Sequence, residues 1–340
     1  MSLLVLGAPQ ALATAVLAAA VSGERVVVDA EGMPSALPTR ALRHGTARPI
    51  DLAPVVGDGE IHACVIVAEA RDLPALVEER RGLLHGLPVL LAPGGLAGAL
   101  RVAARDGSLQ VAESTGFPVA GAVEGDAFVL RGEKHSLPFA AADSALTDRL
   151  LGVFRPYLPQ LVESTLLTTS MSNTNHLIHP PITLMNSIRV DSAASFTLYR
   201  EGVSESLEHL LVAVDEERRA VCRAVGADDR SARDWLLGFY RADGMRGDTL
   251  VSCLTSYPGF ETVPGPTTLD YRYLADDVPH GVAQWAALGR RLGVPTPTID
   301  HLLAMLAVIA PALALEADQE GLDLFLAHVR RRRTASVPQR

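Results

Sequence analysis

Basic residues are outnumbered in this chain: 30 Lys and Arg stand against 39 Asp and Glu, a formal net charge of −9 over 340 residues. That balance gives no general attraction for nucleic acid or an anionic membrane, whose recognition begins with a basic surface. A small molecule or another protein chain is the expected partner. Cysteine is nearly absent. Cys64, Cys222 and Cys253 lie far apart and form no CxxC pair, which excludes a zinc ribbon or a dithiol motif and leaves reduced core thiols. Aromatic residues make up only 5% of the chain, and no internal repeat or low-complexity tract is present. Residues 1–23 carry no charge, yet they lack the basic n-region of a secretion signal, and Gly7 and Pro9 interrupt the apolar run. A strand, turn and helix are expected there, in a cytoplasmic protein.

What is present fits two cores of ordinary size, with 48% hydrophobic and 20% charged residues. In the first half, "SLLVLG", "RVVVDA", "ACVIVAEA", "PVLLAPGG", "LQVAES" and "AFVLRGEK" are short continuous apolar runs. Such runs, rather than alternating ones, predict strands buried on both faces of a mostly parallel, doubly wound Rossmann-like sheet. The Pro- and Gly-rich stretch from Ala30 to Ile61 predicts a shortened or irregular middle of that sheet. From about Asp143 the apolar spacing becomes helical, as in "SLEHLLVAVDEERRAVCRAV" and "TIDHLLAMLAVIAPALALEA". The expected organisation is therefore an α/β domain over residues 1–145 and an all-helical domain over 146–340. The apolar "LLAMLAVIAPALALEA" is expected to fill a core, with a homodimer face as the alternative. The terminal "RRRRTASVPQR" reads as a solvated helix end.

Three stretches carry chemistry. "NTNHLIHPPITLMNS" gathers Asn175, His176, His179 and Asn186 around Pro180 and Pro181. Proline is tolerated in a first turn, so the pair predicts a helix start, with His179 at the N-terminus, where the dipole disfavours imidazolium. Histidine is the side chain suited to proton transfer near neutral pH. His176 and His179 lack the further ligands of a zinc site, so no metal is expected. "TTLDYRYLADDVPHG" supplies Asp270, Arg272, Asp276, Asp277 and His280. There a guanidinium fork can bind a carboxylate, and an acid can fix a histidine tautomer. "LAPGGLAGALRVA" follows a strand with Gly94, Gly95 and Gly98, which permit close backbone approach to a ligand.

The opening turn departs from a dinucleotide fingerprint. G-x-G-x-x-G would need glycine at Pro9 and Leu12, and only Gly7 is in place. Pro9 has no N–H for a pyrophosphate, and Leu12 would crowd a close approach. Asp29, at the end of the next strand, is placed for a ribose hydroxyl and would repel a 2′-phosphate, favouring NAD over NADP.

Together these stretches resemble the octopine/nopaline (opine) dehydrogenase family, a relative of the ketopantoate-reductase and glycerol-3-phosphate-dehydrogenase type folds. "NHLIHPPITLMNS" is similar to the family's Asn-x-x-x-His-Pro segment, and "GPTTLDYRYLADDVPHG" to its Asp-x-Arg-Tyr-Leu…Glu-Asp-Val-Pro segment. "LAPGGLAGAL", "AEST" and "LGVPTPTIDHLL" fall in the same order, from about residue 85 to 315. His176 replaces a family proline, and Asp276-Asp277 a Glu-Asp pair. The resemblance implies a helical domain like the C-terminal one of 6-phosphogluconate dehydrogenase. It also implies reduction by NAD(P)H of the imine that joins an amino acid to a 2-oxo acid, or of a ketone of such a carboxylate-bearing substrate. His179 would be the proton donor and acceptor and Asp277 its acidic partner. Arg272 would bind a carboxylate, with Asn175 and His176 beside the substrate. Gly7, Ala8, Pro9, Asp29, Gly94 and Gly95 would lie along the dinucleotide. The alternative is an enzyme that keeps His179 and Asp277 but does non-redox acid-base chemistry without the dinucleotide.

Overall fold

The computed structural model describes residues 2–7, 10–29, 36–55, 61–125 and 127–335. Ala8 and Pro9 of the expected cofactor turn lie outside the described residues, as do 30–35 and the end of the chain beyond Ala335. The chain divides into two compact units, Met1–Gly94 with Gly98–Thr169, and Gly95–Ala97 with Ser170–Arg340.

The first unit is built on strands β1 (Ser2–Leu6), β2 (Val26–Val28), β3 (Arg40–Arg43), β4 (Thr46–Pro49), β5 (Leu52–Pro54), β6 (Ile61–Ile66), β7 (Pro88–Leu91), β8 (Gln110–Ser114), β9 (Ala120–Glu124), β10 (Ala127–Arg131), β11 (Leu137–Ala141) and β12 (Leu161–Glu163). Eight of them form one sheet in the order β12-β11-β8-β7-β6-β1-β2-β5. Pairing is parallel from β5 through β8, with Leu4 opposite both Val27 and Cys64. The exception is β11, which runs antiparallel to β8. Helices α1 (Ala11–Ser22), α2 (Leu73–Glu79), α3 (Arg81–Leu84), α4 (Gly98–Arg105) and α5 (Ser144–Phe154) connect these strands.

Two expectations are corrected here. The Pro- and Gly-rich stretch after Ala30 does not thin the middle of the sheet: β5 is its edge strand, where a proline such as Pro54 is tolerated. β3 and β4 leave it altogether and join β9 and β10 in a second sheet, β4-β3-β10-β9, which also takes the "AFVLRGEK" run. The domain boundary falls at Thr169/Ser170 rather than 145/146, because β12 pairs in parallel with β11 and so belongs to the sheet.

The second sheet explains α1. This helix is buried from Ala11 to Ala20 with no polar face, because it packs on β1 and β2 from one side and on β3, β9 and β10 from the other. A helix apolar all round must be enclosed. Leu12 is therefore a core residue, clustered with Val16, Val119 and Phe128. Gly23 ends the helix in the left-handed conformation, its N–H reaching the Ala19 carbonyl at 2.9 Å.

Beyond the sheet come α6 (Leu166–Met171), α7 (Thr174–Met185), α8 (Ser187–Asp191), α9 (Glu205–Val225), α10 (Ala232–Tyr240), α11 (Leu250–Ser256), α12 (Arg272–Ala275), α13 (Ala283–Leu292), α14 (Pro297–Ile309) and α15 (Gln319–Ala335). Helix α9 organises them through its acids. Glu208 accepts from the amides of Leu250 and Val251 at the start of α11, Asp215 from Ala232 at the start of α10, and Glu217 from Thr298 and Ile299 in α14. Each carboxylate satisfies amides that a helix leaves unpaired and faces its positive end. The buried Asp215 is also paired with Arg218 at 2.7 Å. The expected core helix at "LLAMLAVIAPALALEA" is only half so: α14 ends at Ile309 and buries Ile299, Leu302 and Leu306, while Met305 and Val308 are exposed. Cys64, Cys222 and Cys253 are buried free thiols. No helix among the described residues is long and apolar enough to cross a membrane.

Candidate active site

Helix α7 starts earlier than the prolines suggest. Asn173 is its N-cap, with its side chain accepting from the Asn175 amide at 3.1 Å, and Pro180 and Pro181 lie inside the helix. A good cap upstream and the buried Leu177, Ile178, Ile182 and Leu184 outweigh the cost of interior proline. His179 is consequently mid-helix, and the expectation that a helix N-terminus lowers its pKa is wrong in its cause. Burial and the nearby Arg272 charge hold the imidazole well below its ordinary value.

The second stretch folds against it. Helix α12 is followed by a π-helical turn, Val278–Val282, and between them Asp277 reaches His179, Oδ2 lying 2.7 Å from Nδ1. The Tyr199 hydroxyl lies 2.8 Å from Nε2. These partners assign the proton. A carboxylate accepts only, so Nδ1 carries the hydrogen, and a neutral ring must then accept from Tyr199 at Nε2. The cluster is dry, with His179 and Asp277 each 2% exposed and Tyr199 6%. Burial raises the Asp277 pKa, opposed by His176 and Arg272, and pushes the Tyr199 phenol well above its ordinary range.

Arg272 opens α12, half-buried, with its guanidinium 5.1 Å from the centre of the Tyr273 ring. Its positive charge acts on His176, His179, Asp277 and Tyr199 alike. Tyr273 lies on the His179 ring with centroids 3.9 Å apart. Asn175, one turn before His179 on the same face, is half-buried. His176 is enclosed: Nε2 meets the Asn173 amide nitrogen at 3.0 Å, and a Cβ on Gly281 would fall 2.2 Å from its ring. Burial lowers its pKa to about 4. It backs Asp277, with 3.7 Å between Nε2 and Oδ1. Of the other candidates, Asp276 lies 4.0 Å from His280, whose charge acts on His176, Asp270 is exposed, and Asn186 donates to the carbonyls of Ile182 and Gly202 at the end of α7.

At the carboxyl ends of β1 and β2, Gly7 and Asp29 line a cavity of about 360 Å³ with Ala68, Arg71, Leu76 and Arg80. Gly7 has φ +102°, and a Cβ there would fall 2.0 Å from the Val67 carbonyl oxygen. Asp29 is ion-paired with Arg80 at 2.8 Å. Gly94 packs on the buried Glu113, whose Cβ a side chain would meet at 2.5 Å, and Gly95 has φ +68°. Glu113 accepts from the Ala99 amide and the Thr169 hydroxyl. Tyr199, Tyr273, Gly281 and Arg80 escape the sequence reading. Tyr199 is 20 residues from His179 in the chain, and only the "Asp-x-Arg-Tyr-Leu" likeness touches Tyr273.

The chain combines a doubly wound sheet with a helical unit that holds a buried His–Asp pair. Residues 162–310 match the family model of the NAD/NADP octopine/nopaline dehydrogenase alpha-helical domain. Over 302 residues, 82% of this chain and 79% of the relative, the sequence is 28% identical to the opine dehydrogenase of Arthrobacter sp. (strain 1C). Vitopine synthase of Allorhizobium ampelinum is 25% identical over 72% of this chain and 71% of its own. The fold matches an octopine dehydrogenase solved with NADH and agmatine, with a TM-score of 0.72 and 16% identity over 100% of this chain and 99% of that one. A yersinopine dehydrogenase with NADP+ bound matches at a TM-score of 0.70 and 15% identity, covering 97% of this chain and 99% of that one. The resemblance to the opine dehydrogenases is borne out.

Proposed function

We propose that the protein uses a nicotinamide dinucleotide to reduce the imine formed from an amino acid and a 2-oxo acid, or a ketone of such a carboxylate-bearing substrate. The observation that carries this reading is the buried His179, hydrogen-bonded to Asp277 at 2.7 Å beside the Arg272 charge. Reduction of a C=N or C=O bond needs one proton delivered as hydride arrives, and a dry histidine whose tautomer is fixed by a carboxylate supplies it. Asp277 stabilises the imidazolium that forms when the reverse reaction returns the proton. Arg272 offers an anionic substrate a guanidinium fork, and Asn175 borders the same helix face.

The sheet end fits a dinucleotide. The cavity beside Gly7 and Asp29 lies where doubly wound sheets take such ligands. Gly7 and Asp29 would hold the adenosine side, with Gly94 and Gly95 farther along the sheet edge; the bound group supplies hydride. Among the described lining residues, Asp29, Glu69, Asp72 and Glu79 outnumber Arg71 and Arg80, which favours an uncharged ribose and therefore NAD. A cytoplasmic setting belongs to this reading, in keeping with three unpaired buried cysteines.

Titration with NADH and NADPH tests it. Saturating NADH, at about 100 times its Kd, is expected to add roughly 2.7 kcal/mol of stability. Absence of a shift with either dinucleotide contradicts the reading.

A further inference from the structure

An imidazole nitrogen has one lone pair or one hydrogen to offer, and at Nε2 of His179 the Tyr199 hydroxyl already uses it, at 2.8 Å. The other nitrogen is committed to Asp277. A substrate atom can therefore exchange a proton with His179 at Nε2 only through this hydroxyl, or after Tyr199 has left. The tyrosine is not placed to leave. Its ring stacks on Phe260 with centroids 4.4 Å apart, and Phe260 packs edge-on against the stacked Tyr240 and Tyr257 rings, at 5.4 and 4.8 Å.

We propose that Tyr199 is a catalytic residue, the proton carrier through which His179 acts on the reacting heteroatom; the proposal rests on the reductase reading above. In the reductive direction the Tyr199 O–H bond breaks as an N–H or O–H bond forms on the substrate. The Nε2 proton of an imidazolium His179 moves to the phenolic oxygen in the same event. One proton is delivered, Tyr199 is regenerated and His179 ends neutral, hydrogen-bonded as it is in the structure. No electrons change hands in this transfer, since the electron pair for reduction arrives with hydride from the reduced nicotinamide. Asp277 holds the imidazolium before the transfer. The burial that keeps the phenol protonated keeps the carrier loaded.

Tyr199→Phe removes the hydroxyl and keeps the ring stack, so the fold is expected to survive. Its kcat is expected to fall at least about 100-fold, the span of one acid-base group, with KM values and dinucleotide Kd changed by less than about 3-fold. A proton inventory in mixed H₂O and D₂O should be curved for the wild type, with two protons in flight, and linear for the variant. Without turnover, ¹⁵N NMR of the imidazole should show the His179 Nε2 resonance shifted in Tyr199→Phe and the Nδ1 resonance nearly unmoved. A variant that keeps kcat within about 3-fold of an active wild type overturns the carrier role, and an unshifted Nε2 resonance overturns the hydrogen bond it depends on. An inactive wild type that binds no dinucleotide instead overturns the reductase reading, leaving the NMR comparison to judge Tyr199.

Discussion

The cavity at the sheet end and the cluster around His179 are both built from charged residues, but water treats them differently. Asp29 and Arg80 keep about a fifth to a quarter of their side chains in solvent, at 19% and 25%, whereas His179 and Asp277 keep 2% each. In the first place the ion pair keeps part of its contact with solvent, which partly screens it. In the second, burial pushes His179 and His176 toward their neutral forms and Asp277 above its usual range. Under the proposed function the difference separates two tasks. A rim that meets a large polar ligand can be exchanged piece by piece, while a proton-transfer pair depends on a dry, preorganised setting.

The contrast can be broken from either side, and the largest effect lies in the dry cluster. His179→Ala should lower kcat by about 10²–10⁴-fold with the dinucleotide Kd nearly unchanged, as stopped-flow and fluorescence titration would show. Next is acid stability. His176 has a folded pKa of about 4 against an ordinary 6.5, so between those values the unfolded chain binds a proton that the folded one refuses. Stability is therefore full above pH 6.5 and falls as the pH drops toward 4, by roughly 3 kcal/mol. Denaturant titrations across that range should show the loss in the wild type and a flatter profile in His176→Asn. Gly7→Ala strains a left-handed backbone against the Val67 carbonyl and should cost about 1–3 kcal/mol of stability, measured by the same titrations. The smallest effect belongs to the solvated rim: Asp29→Asn should reduce the preference for NADH over NADPH by about tenfold, roughly 1.4 kcal/mol, in paired binding isotherms.

Much of this was legible before the fold was known. Continuous Val and Leu runs marked β1, β2, β6, β7 and β8, and helical spacing marked the second unit. His179, Asp277 and Arg272 stood out because few residue types can move protons or grip carboxylates. What escaped were effects of enclosure. Nothing local to α1 tells that a second sheet covers its outer face, and Pro180 and Pro181 suggest a helix start because their cost is local while the compensating cap and burial are not. Tyr199 reaches His179 only because α7 and the chain leading to α9 fold back together. Arg80 was invisible for the same reason, lying 51 residues from the aspartate it pairs with.

The central claim is that His179 and Asp277 supply the proton for a dinucleotide-dependent reduction of an amino acid and 2-oxo acid adduct. Its most direct test follows NADH absorbance with wild type and His179→Ala, offering amino acids and 2-oxo acids singly and in pairs. NADH oxidation by the wild type should require both partners and be lost in the variant. Oxidation that proceeds unchanged in His179→Ala, or that no pair of partners elicits, would contradict it.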